Sequence, residues 1–169
     1  MSNGTVASTD ATMIAYESQG SGDPVIVVNT VAEDRSGLSG LAGLLAEHFT
    51  VYTYDRRGRG DSGDTKPYAP QREVEDLGAV IEAAGGGVNL ISGSAGCVLC
   101  LDAATALGDT VRSLYLFEPP FIVNDGRPPM PAGYVQHLEL LVARGDRSAA
   151  VEYFMTKAPC SSPPSLSPG

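Results

Sequence analysis

The chain has 169 residues, an ordinary apolar content and no biased tract before its last dozen positions, which points to one globular domain long enough to bury a core. Its 20 acidic against 11 basic side chains give a formal charge of -9, which opposes binding to nucleic-acid backbones or anionic lipid and favours small neutral or cationic partners. The odd cysteine count (Cys97, Cys100, Cys160) does not suit a secreted disulfide framework, residues 1–10 lack the pattern of a signal peptide, and no apolar run has membrane-span length, so a soluble protein of the reducing cytoplasm is expected.

Two short strands are predicted over 4–8 and 12–18, joined by a turn at Asp10-Ala11. Residues 25–28 form an unbroken β-branched run, the mark of a strand covered on both faces and central in a sheet. Leu38, Leu41, Leu44 and Leu45 then recur at helical spacing, with His48 expected in the last turn of that helix, and 51–54 returns to strand. The pattern repeats. Val74, Leu77, Val80 and Ile81 make a helical stripe after Pro70, three glycines at 85–87 break it, and 88–91 is a strand. A helix follows over 95–107, stopped by Gly108, and 111–117 is a further strand.

Alternating helices and buried strands with right-handed crossovers build a doubly wound α/β fold, a mostly parallel sheet with helices on both faces. From 118 to 130 the chain is irregular and proline-rich. Val135, Leu138, Leu141 and Val142 then mark an amphipathic helix, and a shorter one is expected to end near Phe154. Because alternation has stopped, residues 119–157 read as the start of a lid over the sheet edge. Residues 158–169, rich in Pro and Ser, are expected to be disordered.

The chemistry concentrates at Ser92-Gly93-Ser94-Ala95-Gly96, between a strand and a helix. This is the small-x-Ser-x-small form of a nucleophile elbow, in which the turn is so sharp that only small residues fit two places either side of the serine. The turn lifts the Ser94 hydroxyl above the sheet and offers the backbone N–H of Ala95, at the positive end of the helix, as an oxyanion donor. A glycine-rich turn that needs small residues for packing alone is the structural alternative. Gly58, Gly60 and Gly63 satisfy the dinucleotide spacing, but that site needs a helix starting at the glycines, which Pro67 and Pro70 forbid. The loop instead reads as a rigid arginine and aspartate buttress for the elbow.

Asp55-x-Arg57-Gly58-x-Gly60-x-Ser62, the Ser94 elbow and Phe117-Glu118-Pro119-Pro120 together resemble the α/β-hydrolase superfamily, especially its bacterial single-domain serine hydrolases, over about residues 4–157. The resemblance implies an esterase or amidase acting on a small-molecule ester or amide, with Ser94 as nucleophile. Relatives usually carry His-Gly after the first buried strand; this chain has Asn29-Thr30-Val31, so the second oxyanion donor is the N–H of Thr30 or Val31. Glu118, at a place where some members put the triad acid, and His137, beside the apolar stripe of the lid helix, are the candidates for acid and base. A solvated surface position is the alternative for His137, and a surface role suits His48 at a helix end. Cys97 and Cys100 form a C-x-x-C that reads as two core residues with no redox or metal role. No cofactor or metal is expected.

The family would continue past the lid to further strands and a terminal histidine, so the chain reads as a domain truncated after the lid region. The composition changes abruptly after Lys157, which suggests a shifted reading frame or a truncation product, to be checked by sequencing the source locus. Two readings stand: a serine hydrolase, and a non-catalytic hydrolase-fold fragment that lacks the triad histidine. The open sheet edge of such a fragment is expected to favour self-association.

Overall fold

The computed structural model describes residues 1–123 and 129–157. Its centre is strand β3 (Pro24–Val28), whose residues from Val25 onward are all buried, as an apolar run covered on both faces requires. β3 lies between β4 (Thr50–Tyr54) and β5 (Val88–Gly93), both parallel to it, and β6 (Val111–Phe117) adds in parallel outside β5. The opening hairpin, β1 (Ser2–Ala7) and β2 (Met13–Gly20), pairs antiparallel to the other side of β4, giving the order β1-β2-β4-β3-β5-β6. The expected mostly parallel sheet is therefore present.

Alternation along the strands assigns the two faces. Ile26 and Val28 join Leu90 on one face, where they pack with Leu77, Val80 and Ile81 of α2 (Pro70–Ala83) and Leu99, Cys100 and Ala103 of α3 (Gly96–Leu107). Val27 and Val51 point the other way, onto Ala42 of α1 (Ser39–Leu45). Helices thus cover both faces. Pro70 is the first residue of α2, where its missing N–H costs nothing, and it holds Ala69 extended. Gly85, Gly86 and Gly87 follow in the left-handed region and end that helix, and Gly108, also at positive φ, ends α3.

Two stripes differ from expectation. Ala42 and Leu45 of α1, with Leu38 just before it, pack on the side of Val27 and Val51, whereas Leu41 and Leu44 are exposed. His48 lies past the helix, in the turn before β4, not in its last turn. On α4 (Tyr134–Ala143), Val135 and Val142 are exposed and the buried residue is Tyr134, whose ring stacks on Tyr153 of α5 (Arg147–Lys157) at 5.2 Å. α5 has 11 residues to the 10 of α4, so it is not the shorter helix and runs past Phe154.

The chain forms two compact units, Met1–Pro120 and a second that begins at Phe121 and contains α4 and α5. The expectation of a disordered tail at 158–169 lies outside the described residues. No described helix is long and apolar enough to cross a membrane.

Candidate active site

The carboxyl ends of β3, β4 and β5 share one edge, so the segments that follow them meet there. Beyond β5 the chain reverses at Ser94, which is half-buried and has φ 49°, a left-handed conformation that a side chain makes costly. The Ser94 N–H donates to the Phe117 carbonyl at the end of β6 at 2.9 Å, which fixes the turn. The carbonyls of Ser94 and Ala95 accept from the N–H groups of Cys97 and Val98 at 3.1 and 3.2 Å, starting α3.

The small flanking residues have the steric cause expected of them. The Ser92 hydroxyl donates to the Val28 carbonyl at 2.7 Å, inside a fully packed crossing of strand and helix. A Cβ on Gly96 would lie 3.0 Å from the Asn29 carbonyl and 3.1 Å from that of Val28, and would collide with the Ser92 hydroxyl.

The segment after β3 is pinned through its carbonyls. Arg56 donates to the Asn29 and Thr30 oxygens at 3.4 and 3.2 Å, and Arg59 Nε to the Val31 oxygen at 3.0 Å. The buried Asn29 amide donates to the Asp34 carbonyl, and Thr30 Oγ1 to Glu33. The backbone N–H groups of Thr30, Val31 and Ala95 find no acceptor among the described residues.

The loop after β4 is held as a buttress, with no helix before Pro70, so the dinucleotide spacing of its glycines is incidental. Asp55, fully buried, accepts from the backbone N–H groups of Arg35 (2.7 Å) and Asp61 (2.8 Å) and from the Arg35 guanidinium. Gly60 is required there, since a Cβ would run into the Asp55 carboxylate. Arg56 pairs with Glu73, which also accepts from the Tyr68 hydroxyl at 3.0 Å. Arg57 binds both oxygens of Asp76 at 2.7 Å and one of Asp10 at 3.0 Å. Burial alone would raise the Glu73 carboxyl, but the Arg56 guanidinium outweighs it and holds the group below its ordinary range.

The remaining sequence candidates are dispersed. Glu118 follows β6 at φ 49° and is exposed. His137 belongs to the second unit, exposed on α4 with its ring centroid 4.4 Å from that of Tyr153. His48 is exposed at the amino end of β4. Cys97 and Cys100 are buried core residues; the Cys97 thiol donates to the Ser92 carbonyl at 3.4 Å, and burial, with Cys97 beside it, pushes the Cys100 thiol up to about 12. Among the described residues no three His, Cys, Asp or Glu side chains are grouped to hold a metal. A groove of about 660 Å³ lined by Ser8, Gly85, Gly86 and Thr110 opens at the amino ends of β5 and β6 and contains none of these candidates.

Sequence reasoning missed Arg35, which joins the loops after β3 and β4, and the position of Arg59 against Val31. No motif announces either. The carboxylates at 73 and 76, three apart beside the apolar stripe of α2, were the available signal for the partners of Arg56 and Arg57.

The model of the alpha/beta hydrolase family matches residues 32–168. A solved alpha/beta hydrolase from Sphaerobacter thermophilus is 52% identical over 96% of this chain and 63% of that one, with a TM-score of 0.88. An esterase from Exiguobacterium antarcticum (23% identity, 89% and 59% coverage, TM-score 0.73) and the epoxide hydrolase CorEH (21%, 90% and 55%, 0.69) share the fold. The chain spans 63% or less of the length of these proteins, and no curated protein matches it. With the family model matched over residues 32–168 and a relative 52% identical over 96% of this chain, the chain belongs to the alpha/beta hydrolase family.

Proposed function

We propose that Ser94 is the nucleophile of a serine hydrolase acting on a small ester or amide. One observation carries this reading: Ser94 is held in a left-handed turn by the bond from its own N–H to Phe117, while the next N–H, that of Ala95, has no acceptor among the described residues. Strain of this kind is characteristic of catalytic turns. Ser94 Oγ attacks the carbonyl carbon, the new C–O bond displaces the carbonyl π pair onto oxygen, and the Ala95 N–H takes the developing charge with that of Thr30 or Val31. Collapse of that intermediate expels the alcohol or amine and leaves an acyl group on Ser94, which water removes.

The Oγ proton must pass to a base and on to the leaving group. The chain's histidines are His48 and His137. A five-residue strand, roughly 16 Å of β-structure, separates His48 from the elbow edge, so His137 is the chain's own candidate base and Glu118 the candidate acid. A second reading, a hydrolase-fold chain that binds without turnover, is favoured by one fact: within Met1–Pro120 no side chain hydrogen-bonds Ser94 Oγ. An unassisted serine loses several orders of magnitude in rate.

Labelling of the folded protein with a fluorophosphonate probe, read by intact mass, separates the two. Adduct formation that disappears in Ser94→Ala supports the first reading. An inert folded protein sinks it and leaves the second.

A further inference from the structure

We propose that Arg59 is a specificity residue that binds a carboxylate carried by the ester or amide, a local exception to the neutral or cationic partners expected from the net charge of -9. This rests on the reading of the Ser94 edge as the ligand site and names the substrate class that the site takes.

Every other cationic side chain of Met1–Pro120 has a carboxylate within 4.0 Å. Arg35 holds Asp55, Arg56 holds Glu73, Arg57 holds Asp76 and Asp10, Lys66 holds Asp64, Arg72 holds Glu75, and Arg112 holds Asp23. Arg59 has none among the described residues, in a chain with 20 acidic side chains. It is half-buried all the same, and burial together with the repulsion of Arg56 holds its basicity below that of an ordinary arginine. Glu73, whose charge reaches it, is already bound to Arg56 and Tyr68. A partly desolvated cation without a counter-charge is unfavourable in the free protein, which is the condition under which an anionic ligand gains most.

Its position gives the charge a use. Arg59 Nε donates to the Val31 carbonyl and Nη1 to the Arg57 carbonyl, both at 3.0 Å, so the guanidinium is oriented by backbone while Nη2 and the second Nη1 hydrogen have no acceptor among the described residues. Two parallel N–H groups match the two oxygens of a carboxylate. Val31 is also one of the two candidates for the second oxyanion donor, so the cation is anchored to the segment that would meet the scissile carbonyl. One unpaired guanidinium answers one negative charge, which favours a carboxylate over a phosphate dianion.

The test uses Ser94→Ala protein, which cannot turn over, titrated calorimetrically with monomethyl succinate and dimethyl succinate. The monoester is expected to bind at least about tenfold more tightly, the effect of one charge-assisted bond. Arg59→Gln in that background should abolish the difference, and Arg59→Lys should restore part of it. Equal binding of the two esters, no binding of the monoester, or an Arg59→Gln variant that weakens both alike would overturn the assignment, the last by marking a structural role through Val31. Because the titration needs no nucleophile, a failure of fluorophosphonate labelling would sink catalysis at Ser94 without touching this result.

Discussion

Gly96→Ala is the sharpest probe of the elbow. The residue is helical, so backbone strain does not enter, and alanine would on propensity alone stabilise α3 by about 0.5–1 kcal/mol. Against this, the new Cβ would sit 3.0 and 3.1 Å from two carbonyls of the central strand's end, which cannot move without disturbing β3. Overpacking of this kind costs about 1–3 kcal/mol. The Ser92 hydroxyl, also in the way, must rotate and give up its 2.7 Å bond to Val28, for about 1 kcal/mol more. The balance is a loss of about 2 kcal/mol, read as a lower urea midpoint at unchanged slope. In a Ser92→Ala background the same substitution should cost about 1 kcal/mol less, because that bond is then lost only once. A Gly96→Ala protein as stable as its parent, or strict additivity of the two changes, would refute the crowding argument.

Arg57→Ala should destabilise by about 3–5 kcal/mol in urea titrations, since it leaves Asp76 buried without a counter-charge, and Arg57→Lys should recover little because the pairing uses two guanidinium nitrogens. Stability should also fall at high pH. The Cys100 thiol is raised to about 12 in the folded chain against about 8.5 unfolded, so the unfolded state releases its proton first and stability is lost between those values by about 1.4 kcal/mol per pH unit. Cys100→Ala should reduce that slope in urea midpoints measured from pH 8 to 11, the Cys97 thiol, which burial also raises, supplying part of what remains, and a slope unchanged by the substitution would count against Cys100 as a cause.

The strands and helices of Met1–Pro120 were legible because their signals are local: the run at 25–28, Pro70 opening α2 and Gly108 closing α3 each act through neighbouring backbone. The elbow was legible for the same reason only in part: Gly96 answers a clash with Ser92 four positions earlier, whereas the Val28 and Asn29 carbonyls that also crowd it belong to a distant strand end. Which face of a leucine-rich helix turns inward was not. Leu41 and Leu44 fit a stripe as well as Leu38 and Leu45 do, and only the space above Val27 and Val51 decides between them. The buttress illustrates the same limit. Asp55 and its loop suggested a rigid element, yet its partners Arg35, Glu73 and Asp76 are about 20 positions away in sequence, and pairing at that range is set by topology.

The arginine links between the segment after β3, the loop after β4 and α2 also bear on the thermodynamics of ligand capture. Buried ion pairs add little net stability, since desolvation offsets their attraction. What they remove is freedom: Asn29, Thr30 and Val31 each surrender a carbonyl to a fixed guanidinium before any ligand arrives. Ordering a backbone residue costs about 1–2 kcal/mol, and here that cost falls within folding. A small molecule docking at this edge therefore meets donors already immobilised, and its affinity is not diminished by having to organise them.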